Sequence, residues 1–283
     1  MGQVLERARS DSRAAVRSEP GAGVRERLRR AARIASAGLA FSVFGLGALA
    51  LAAFVFPLCH LLPGDAAARE ARVQRVIHRA YRFFVGLMQR LGLQSSRWTG
   101  AERLRTPGAH LVVANHPTLV DVVHLVAQLP QADCVVGEAW SRNFFLGRAS
   151  RLAGYITNTR GAEVVELCAQ RLRAGRTVVL FPEGTRSPLG GHHAFQRGAA
   201  HIAIAAGVPI DPVAISCVPR MLMKGQPWWD VPERPGHYEF VVGEPLSPEP
   251  FLAGGTPPAL AARRLTAALR EQIIERSNRA RSR

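Results

Sequence analysis

Apolar and polar positions divide the chain into three stretches. Ile34 to Gly64 carries no charge, and Ile34–Cys59 is apolar except for Ser36, Ser42 and small residues. A run of this length is enough to cross a hydrocarbon core as a helix. Glycines 38, 45 and 47 fall inside it, as membrane helices tolerate. After Pro63-Gly64 the spacing changes. Val73, Val76, Ile77, Ala80, Phe84, Leu87, Met88 and Leu91 recur at three and four, with Arg72, Arg75, Arg79, Arg82 and Arg90 between them. This predicts a basic amphipathic helix, expected to lie at a membrane interface, with packing against the body as the alternative. Beyond Trp98, short β-branched runs alternate with helical patterns. Strands are predicted at His110–Ala114, Cys134–Gly137, Tyr155–Asn158, Thr177–Phe181, Ile210–Ser216 and Tyr238–Val242. Helices are predicted at Thr118–Gln128, Ser141–Ala153, Ala162–Ala174, Phe195–Ala206 and Pro257–Arg279. The alternation predicts an α/β fold, a mixed and mostly parallel sheet flanked by helices, behind an N-terminal membrane-associated helical segment.

Three units follow from these patterns: a basic, largely disordered arm over 1–33, a membrane helix plus basic helix over 34–93, and a body over 94–283 that ends in a basic helix. The charge separates the same way. The chain has 283 residues and a formal net charge of +16, almost all from arginine; Lys224 is the only lysine. Residues 1–34, 65–97 and 259–283 each carry a net +5, whereas 98–258 carry +1. A nucleic-acid enzyme needs its basic groove in the body, so that class is disfavoured. Basic flanks around an apolar run fit an anionic membrane surface. A cleaved signal peptide is excluded, because the charged region ahead is too long and so is the apolar run. Arginines at both ends leave orientation open between a crossing and a hairpin that turns at the prolines and returns. The hairpin puts both arginine clusters and the body on the cytoplasmic side of the inner membrane.

Chemistry enters at Asn115-His116-Pro117-Thr118-Leu119-Val120-Asp121, where a predicted strand gives way to a helix. Proline after the histidine suits the first helical position. The reading is an imidazole at a helix mouth, with a carboxylate in the second turn reaching back to orient it. That is the base-and-orienter half of an acyl-transfer site. Alone, the pair fits a helix cap with a solvated acid equally well. The buried run Thr177–Leu180 then enters Phe181-Pro182-Glu183-Gly184-Thr185-Arg186-Ser187, a strand-end loop of the kind where α/β proteins place ligands. A carboxylate, a glycine backbone, a hydroxyl and an arginine within four residues can grip a polyol phosphate.

With both segments in view, the chain resembles the glycerolipid acyltransferases, the group of the lysophosphatidate (1-acylglycerol-3-phosphate) acyltransferases. The N-H-x-x-x-x-D and F-P-E-G-T-R-S blocks stand in that family's order. Between them Gly154-Tyr155-Ile156-Thr157-Asn158-Thr159-Arg160 matches a glycine-to-arginine block, and Val208-Pro209-Ile210 matches a later one. The resemblance implies that His116 is the general base and Asp121 its orienter. It implies that Glu183, Gly184, Thr185 and Arg186 line the acceptor site, with Arg160 and Arg197 supplying positive charge to a phosphate. Asn115 and Thr118 are expected to fix the loop or the oxyanion. The stretch before Arg160 departs from the family's usual apolar wording and resembles a bacterial subgroup associated with aryl-polyene lipids.

The expected activity is transfer of a fatty acyl group from acyl-CoA or acyl-carrier protein to the hydroxyl of a lysophospholipid, lysophosphatidate first, with no metal and no cofactor. An ornithine-lipid or aryl-polyene acceptor is the nearest alternative. A thioesterase or lipase, or a non-catalytic membrane adaptor, is the alternative of another class. No G-x-S-x-G nucleophile occurs, which disfavours the usual serine hydrolase. The His192-His193 pair is read as a solvated loop. His124 is read as packing, His201 as a core histidine, and Trp228-Trp229 as touching lipid, covering the site or anchoring a loop. Cys59, Cys134, Cys168 and Cys217 are read as reduced, buried apolar residues.

Overall fold

The structure, a computed structural model, describes residues 22–138, 144–159, 161–188 and 191–281. Helix α1 (Ala22–Ala50) passes through a π-helical turn (Leu51–Val55) into α2 (Phe56–Leu61) without a break. Pro57 explains the wide turn: it lacks the N–H that would bond one α-helical turn back, so the Phe56 N–H reaches Leu51 O instead. The helix already runs at Ala22, inside the arm expected to be disordered, because arginine and leucine there are good helix formers extending an existing helix. Residues 1–21 of that arm lie outside the described residues. Arg25–Leu61 is one helix of 37 residues, long and apolar enough to cross a membrane, with a mean hydropathy of 2.3 over its most apolar window.

The chain turns back at Pro63-Gly64 into α3 (Ala66–Arg90). Asp65 caps the new helix by accepting from Ala68 N–H at 2.8 Å, and Arg72 closes the turn through Cys59 O and Leu62 O at 3.0 and 3.1 Å. Phe41 and Phe44 of α1 meet Phe84 and Tyr81 of α3, so the two helices lie antiparallel. The interface placement expected for α3 is corrected here. Its apolar stripe, with Val73, Ile77, Phe84 and Met88, is buried in the body's core. Gln74 Nε2 donates to Asp133 Oδ1 and Ala153 O at 2.9 and 2.8 Å, and Glu70 pairs with Arg171 and Arg176. Gly154, φ +70°, is required at this junction, since a Cβ would lie 2.4 Å from the Glu70 carboxyl.

The body is the mixed α/β sandwich that the alternation predicts. Among the described residues seven strands, β1 (Gln94–Thr99), β2 (Leu111–Ala114), β3 (Asp133–Gly137), β4 (Ile156–Asn158), β5 (Val178–Leu180), β6 (Ile210–Val218) and β7 (Gly236–Val242), lie in the order β1-β7-β6-β2-β5-β3-β4. Every pairing is parallel except β6 with β7. Alternate residues of β2 face two cores. Val112 and Ala114 join the layer under α3, α4 (Asp121–Gln128) and α5 (Phe144–Leu152). Leu111 and Val113 join the layer under α6 (Gly161–Arg173), α7 (Gly198–Ala206) and α9 (Pro258–Arg281), which follows the short α8 (Glu249–Leu252). The apolar stripe Leu265, Leu269 and Ile273 buries α9, so the C-terminal basic helix belongs to the body. Because β2, β3, β4, β5 and β6 point the same way, the loops that follow them all emerge at one edge of the sheet.

Candidate active site

His116 stands at that edge, directly after β2, and its backbone is held on both sides. Asn115 extends the strand with its side chain: Nδ2 donates to Ile215 O at 2.8 Å and Ile215 N–H donates to Oδ1 at 2.7 Å. The side chain is fully buried and turned to β6, so Asn115 fixes the loop and does not line the cavity. The His116 N–H donates to Glu183 Oε1 at 3.0 Å, and its carbonyl accepts from Ser187 N–H at 2.7 Å. The ring stacks on Phe181, with centroids 4.3 Å apart.

Nδ1 of His116 lies 2.8 Å from Asp121 Oδ2. Asp121 has no solvent exposure and also accepts from Thr118 N–H (2.7 Å) and the Thr118 hydroxyl (2.6 Å). Helix α4 begins at Asp121, not near Pro117, because these bonds fold 117–120 into a turn. The carboxylate thus occupies the first helical residue rather than the second turn, and Pro117 is a loop residue. Thr118, expected at the substrate, is buried behind Asp121, where it accepts from the Tyr238 hydroxyl at 3.2 Å. A carboxylate only accepts, so Nδ1 carries the proton that faces it, and in the neutral imidazole the lone pair lies on Nε2. Nε2 has no protein partner among the described residues, and His116 lines a cavity of about 1460 Å³.

The loop after β5 supplies the rest. Glu183 does not face the cavity as expected: Oε1 accepts from His116 N–H and the Ser187 hydroxyl (2.6 Å), and Oε2 from His193 N–H (2.9 Å). Burial alone would raise its carboxyl, but the nearby His192 ring and the hydrogen bonds from the Ser187 hydroxyl and the His116 and His193 N–H groups outweigh that and hold it at about 2. His192 is therefore not a solvated loop residue: its side chain is 4% exposed, 3.8 Å from Glu183. Gly184, Thr185 and Arg186 line the cavity. Gly184, φ +69°, admits Gln196, whose Nε2 would sit 2.9 Å from a Cβ. Arg186 is corrected in part, since one guanidinium nitrogen is committed to Leu222 O and Met223 O at 3.1 and 3.0 Å. Arg197 caps the start of α7, is exposed and lines the cavity. Arg160 lies outside the described residues.

The cavity runs across the strand-end edge between two walls, and it exceeds the roughly 300–1,000 Å³ that usually holds one drug-sized ligand. Phe44, Gly47, Tyr81 and Phe84 of the N-terminal hairpin form an apolar wall, with Val136 and Tyr155 beyond it. Around His116 the lining turns polar, with Thr185, Arg186, Gln196 and Arg197. Burial pushes the Cys134, Cys168 and Cys217 thiols up to about 12, so they stay protonated and are poor nucleophiles. His124 is packing, as read: it stacks on Tyr238, and burial lowers it to about 3. His201, read as core, is half-buried and lines the cavity. Phe181, Ser187, His192, Tyr238 and Leu222 carry site geometry that sequence reasoning did not assign. Phe181 and Ser187 bracket the second motif, which is the signal for those two, and the doubled histidine is the signal for His192.

The sequence pattern of the family described as Acyltransferase matches residues 95–216, which hold His116, Asp121, Glu183 to Ser187 and Arg197. The chain is 30% identical over 196 residues to the mouse 1-acyl-sn-glycerol-3-phosphate acyltransferase alpha, covering 61% of this chain and 64% of that one. It is also 30% identical over 143 residues to a Caenorhabditis elegans protein named as a putative 1-acyl-sn-glycerol-3-phosphate acyltransferase, covering 42% and 48%. Over this stretch the chain is similar to the glycerolipid acyltransferases. It spans about half to just under two thirds of the length of these relatives. The crystal structure of the 1-acyl-sn-glycerophosphate acyltransferase PlsC from Thermotoga maritima shares its fold, with a TM-score of 0.63 at 21% identity over 87% of this chain and 97% of that one.

Proposed function

We propose that this acyltransferase moves a fatty acyl group from an acyl thioester, on coenzyme A or a carrier protein, to the free hydroxyl of lysophosphatidate, yielding phosphatidate. The observation that carries the reading is His116, whose Nδ1 is held by Asp121, whose Nε2 has no hydrogen-bond partner among the described residues and whose ring lines the cavity. Such a nitrogen serves direct transfer better than a covalent acyl-enzyme. Nε2 takes the proton from the acceptor hydroxyl as its oxygen attacks the thioester carbonyl. Asp121 stabilises the imidazolium. The C–O bond forms, the C–S bond breaks, and the departing thiolate recovers the proton from Nε2. Gly184, Thr185, the uncommitted part of Arg186, and Arg197 at the start of α7 suit the acceptor's phosphate. The apolar wall suits acyl chains entering from a bilayer in which α1 is embedded. The body then faces the cytoplasm, in line with arginines at both ends of the hairpin.

The test is the full chain, purified in mixed micelles, with lysophosphatidate and either acyl-CoA or acyl-carrier protein, the products read by mass spectrometry. Phosphatidate should form, and His116→Ala should lower turnover by about 10²–10⁴ while the circular dichroism stays native. Free fatty acid released without an acceptor would identify a hydrolase instead. Near-normal turnover in His116→Ala would end the general-base mechanism.

A further inference from the structure

The segment between β6 and β7 touches the catalytic loop, the second motif and the apolar helix at once. Leu222 O accepts from the Leu119 N–H at 3.0 Å, inside the His116–Asp121 loop. The same oxygen and Met223 O hold the Arg186 guanidinium. Leu222 sits at φ +54°, a left-handed conformation costly for leucine, and persists because its side chain is buried and its carbonyl doubly bonded. Gln226 closes the next turn, accepting from Met223 N–H at 3.0 Å and donating to Asp230 at 3.0 Å. Trp228 then lies against α1: its ring stands 3.5 Å from where a Cβ on Gly38 would be, with its centroid 6.3 Å from that of Phe41. Trp229 packs edge-on against Trp228 and is 54% exposed.

We propose that residues 219–231 form a strap that reads a phospholipid surface: Trp228 and Trp229 seat in the interfacial layer beside α1, and Leu222 passes that engagement to the His116 loop and to Arg186. The occupant is a bilayer for three reasons. The tryptophans continue the surface of the one helix apolar enough to cross a membrane among the described residues. Tryptophan prefers the headgroup level, where its ring is apolar and its N–H is wet. Leu39 and Leu46 of α1, and Leu119 at the cavity mouth, are exposed apolar side chains. Seating the tryptophans stabilises one strap position, which keeps the Leu222–Leu119 bond closed and the catalytic loop ordered. Only the effect on rate depends on the acyl-transfer reading.

The test uses the full chain in nanodiscs of phosphatidylethanolamine and phosphatidylglycerol, with the same chain in lipid-free amphipol as reference. Lipids brominated high on the acyl chain should quench Trp228 and Trp229 fluorescence, read against a Trp228→Phe/Trp229→Phe background. In nanodiscs, Trp229→Ser should speed hydrogen exchange at the Leu119 amide roughly fivefold, the scale of one hydrogen bond. In amphipol it should change nothing. Gln226→Ala, which loosens the strap without touching its tryptophans, should speed exchange in both media. Absent quenching would overturn the proposal. So would unchanged exchange in nanodiscs, or an equal change in amphipol. If the wild-type chain transfers no acyl group, the functional reading fails while exchange and quenching still decide the strap.

Discussion

Strand β2 carries a histidine–aspartate pair at each end, and only one of them opens on a cavity. At its start, His110 Nδ1 lies 2.9 Å from Asp211 Oδ2; just past its end, His116 Nδ1 lies 2.8 Å from Asp121 Oδ2. The difference is the other ring nitrogen. His110 Nε2 faces the Thr106 carbonyl at 2.8 Å, and a carbonyl only accepts, so that nitrogen must donate. The proton between Nδ1 and Asp211 is then locked in place too. Burial pushes the Asp211 carboxyl up, opposed by His110. His116 has one nitrogen committed and one in reserve. Position in the sheet decides this. Parallel strands leave a crevice at their C-terminal edge, whereas the opposite edge beside His110 is closed by the turn at 106. A histidine–aspartate pair is therefore not a site by itself; the uncommitted nitrogen makes it one.

The largest effect separates the two aspartates. Asp121→Asn should cut turnover by about 10²–10⁴, because an amide in its place no longer holds the Nδ1 proton or stabilises the imidazolium. His110→Ala should leave turnover within about twofold but lower stability by roughly 2–4 kcal/mol, since it strands Asp211 in the core. Turnover and thermal midpoint for both variants, measured side by side, test the contrast. Equal losses of turnover with unchanged midpoints would erase it.

Glu183→Gln should come next. It keeps the shape but turns one acceptor oxygen into an NH2 donor, so either the His193 N–H or the His116 N–H and Ser187 hydroxyl lose their acceptor. Turnover should drop about tenfold through a misplaced His116, a loss that appears in kcat rather than KM. Stability carries a second signature. The Glu183 carboxyl is held at about 2 in the folded chain, below its ordinary value of 4.5. Its contribution is therefore complete above about 4.5 and lost as the pH falls towards 2, on the order of 3 kcal/mol in all. In Glu183→Gln that part of the acid-unfolding curve should flatten. A curve parallel to the wild type from pH 5 to 2 would mean that the bonds to Glu183 do not hold the loop.

The two motifs were legible because they combine local signals: buried β-branched runs followed by proline, glycine and polar residues. The central strands were readable for the same reason. Strand β1 was not, since Gln94–Thr99 is polar, lies at the sheet edge and is held by its parallel pairing with β7 and by Trp98 stacked on Phe240 at 4.2 Å. The seat of α3 was equally hidden, because its partners Asp133 and Ala153 are distant in sequence. Within the site, the sequence named His116 and Asp121 and their roles as expectations. It could not show that Glu183, Asn115 and Thr118 spend their polar atoms on the protein. Nor could it show that Arg186 holds a loop, since the carbonyls it grips belong to a segment with no motif.

The smallest effect lies in what stands behind Asp121. The Tyr238 hydroxyl donates to Thr118 Oγ1, and the Thr118 hydroxyl donates to Asp121 Oδ1. Thr118 has a single hydroxyl proton, and Tyr238 filling a lone pair on its oxygen commits that proton to the carboxylate. Burial pushes the Tyr238 phenol well above its usual 10, so it remains a donor throughout the working range. Tyr238→Phe removes one neutral hydrogen bond and leaves no buried donor unpaired, so turnover should fall only about two- to fivefold. Thr118→Val should cost more, since it strips a bond from the buried Asp121 directly. If Tyr238 acts only through Thr118, then Tyr238→Phe should have no further effect on kcat in a Thr118→Val background. Purely additive losses in that cycle would break the relay and make Tyr238 a packing residue. The corresponding change at the closed end, Thr106→Val, should leave kcat untouched, because the His110 proton is held by the Thr106 backbone carbonyl and the pair has no nitrogen to lend to a reaction.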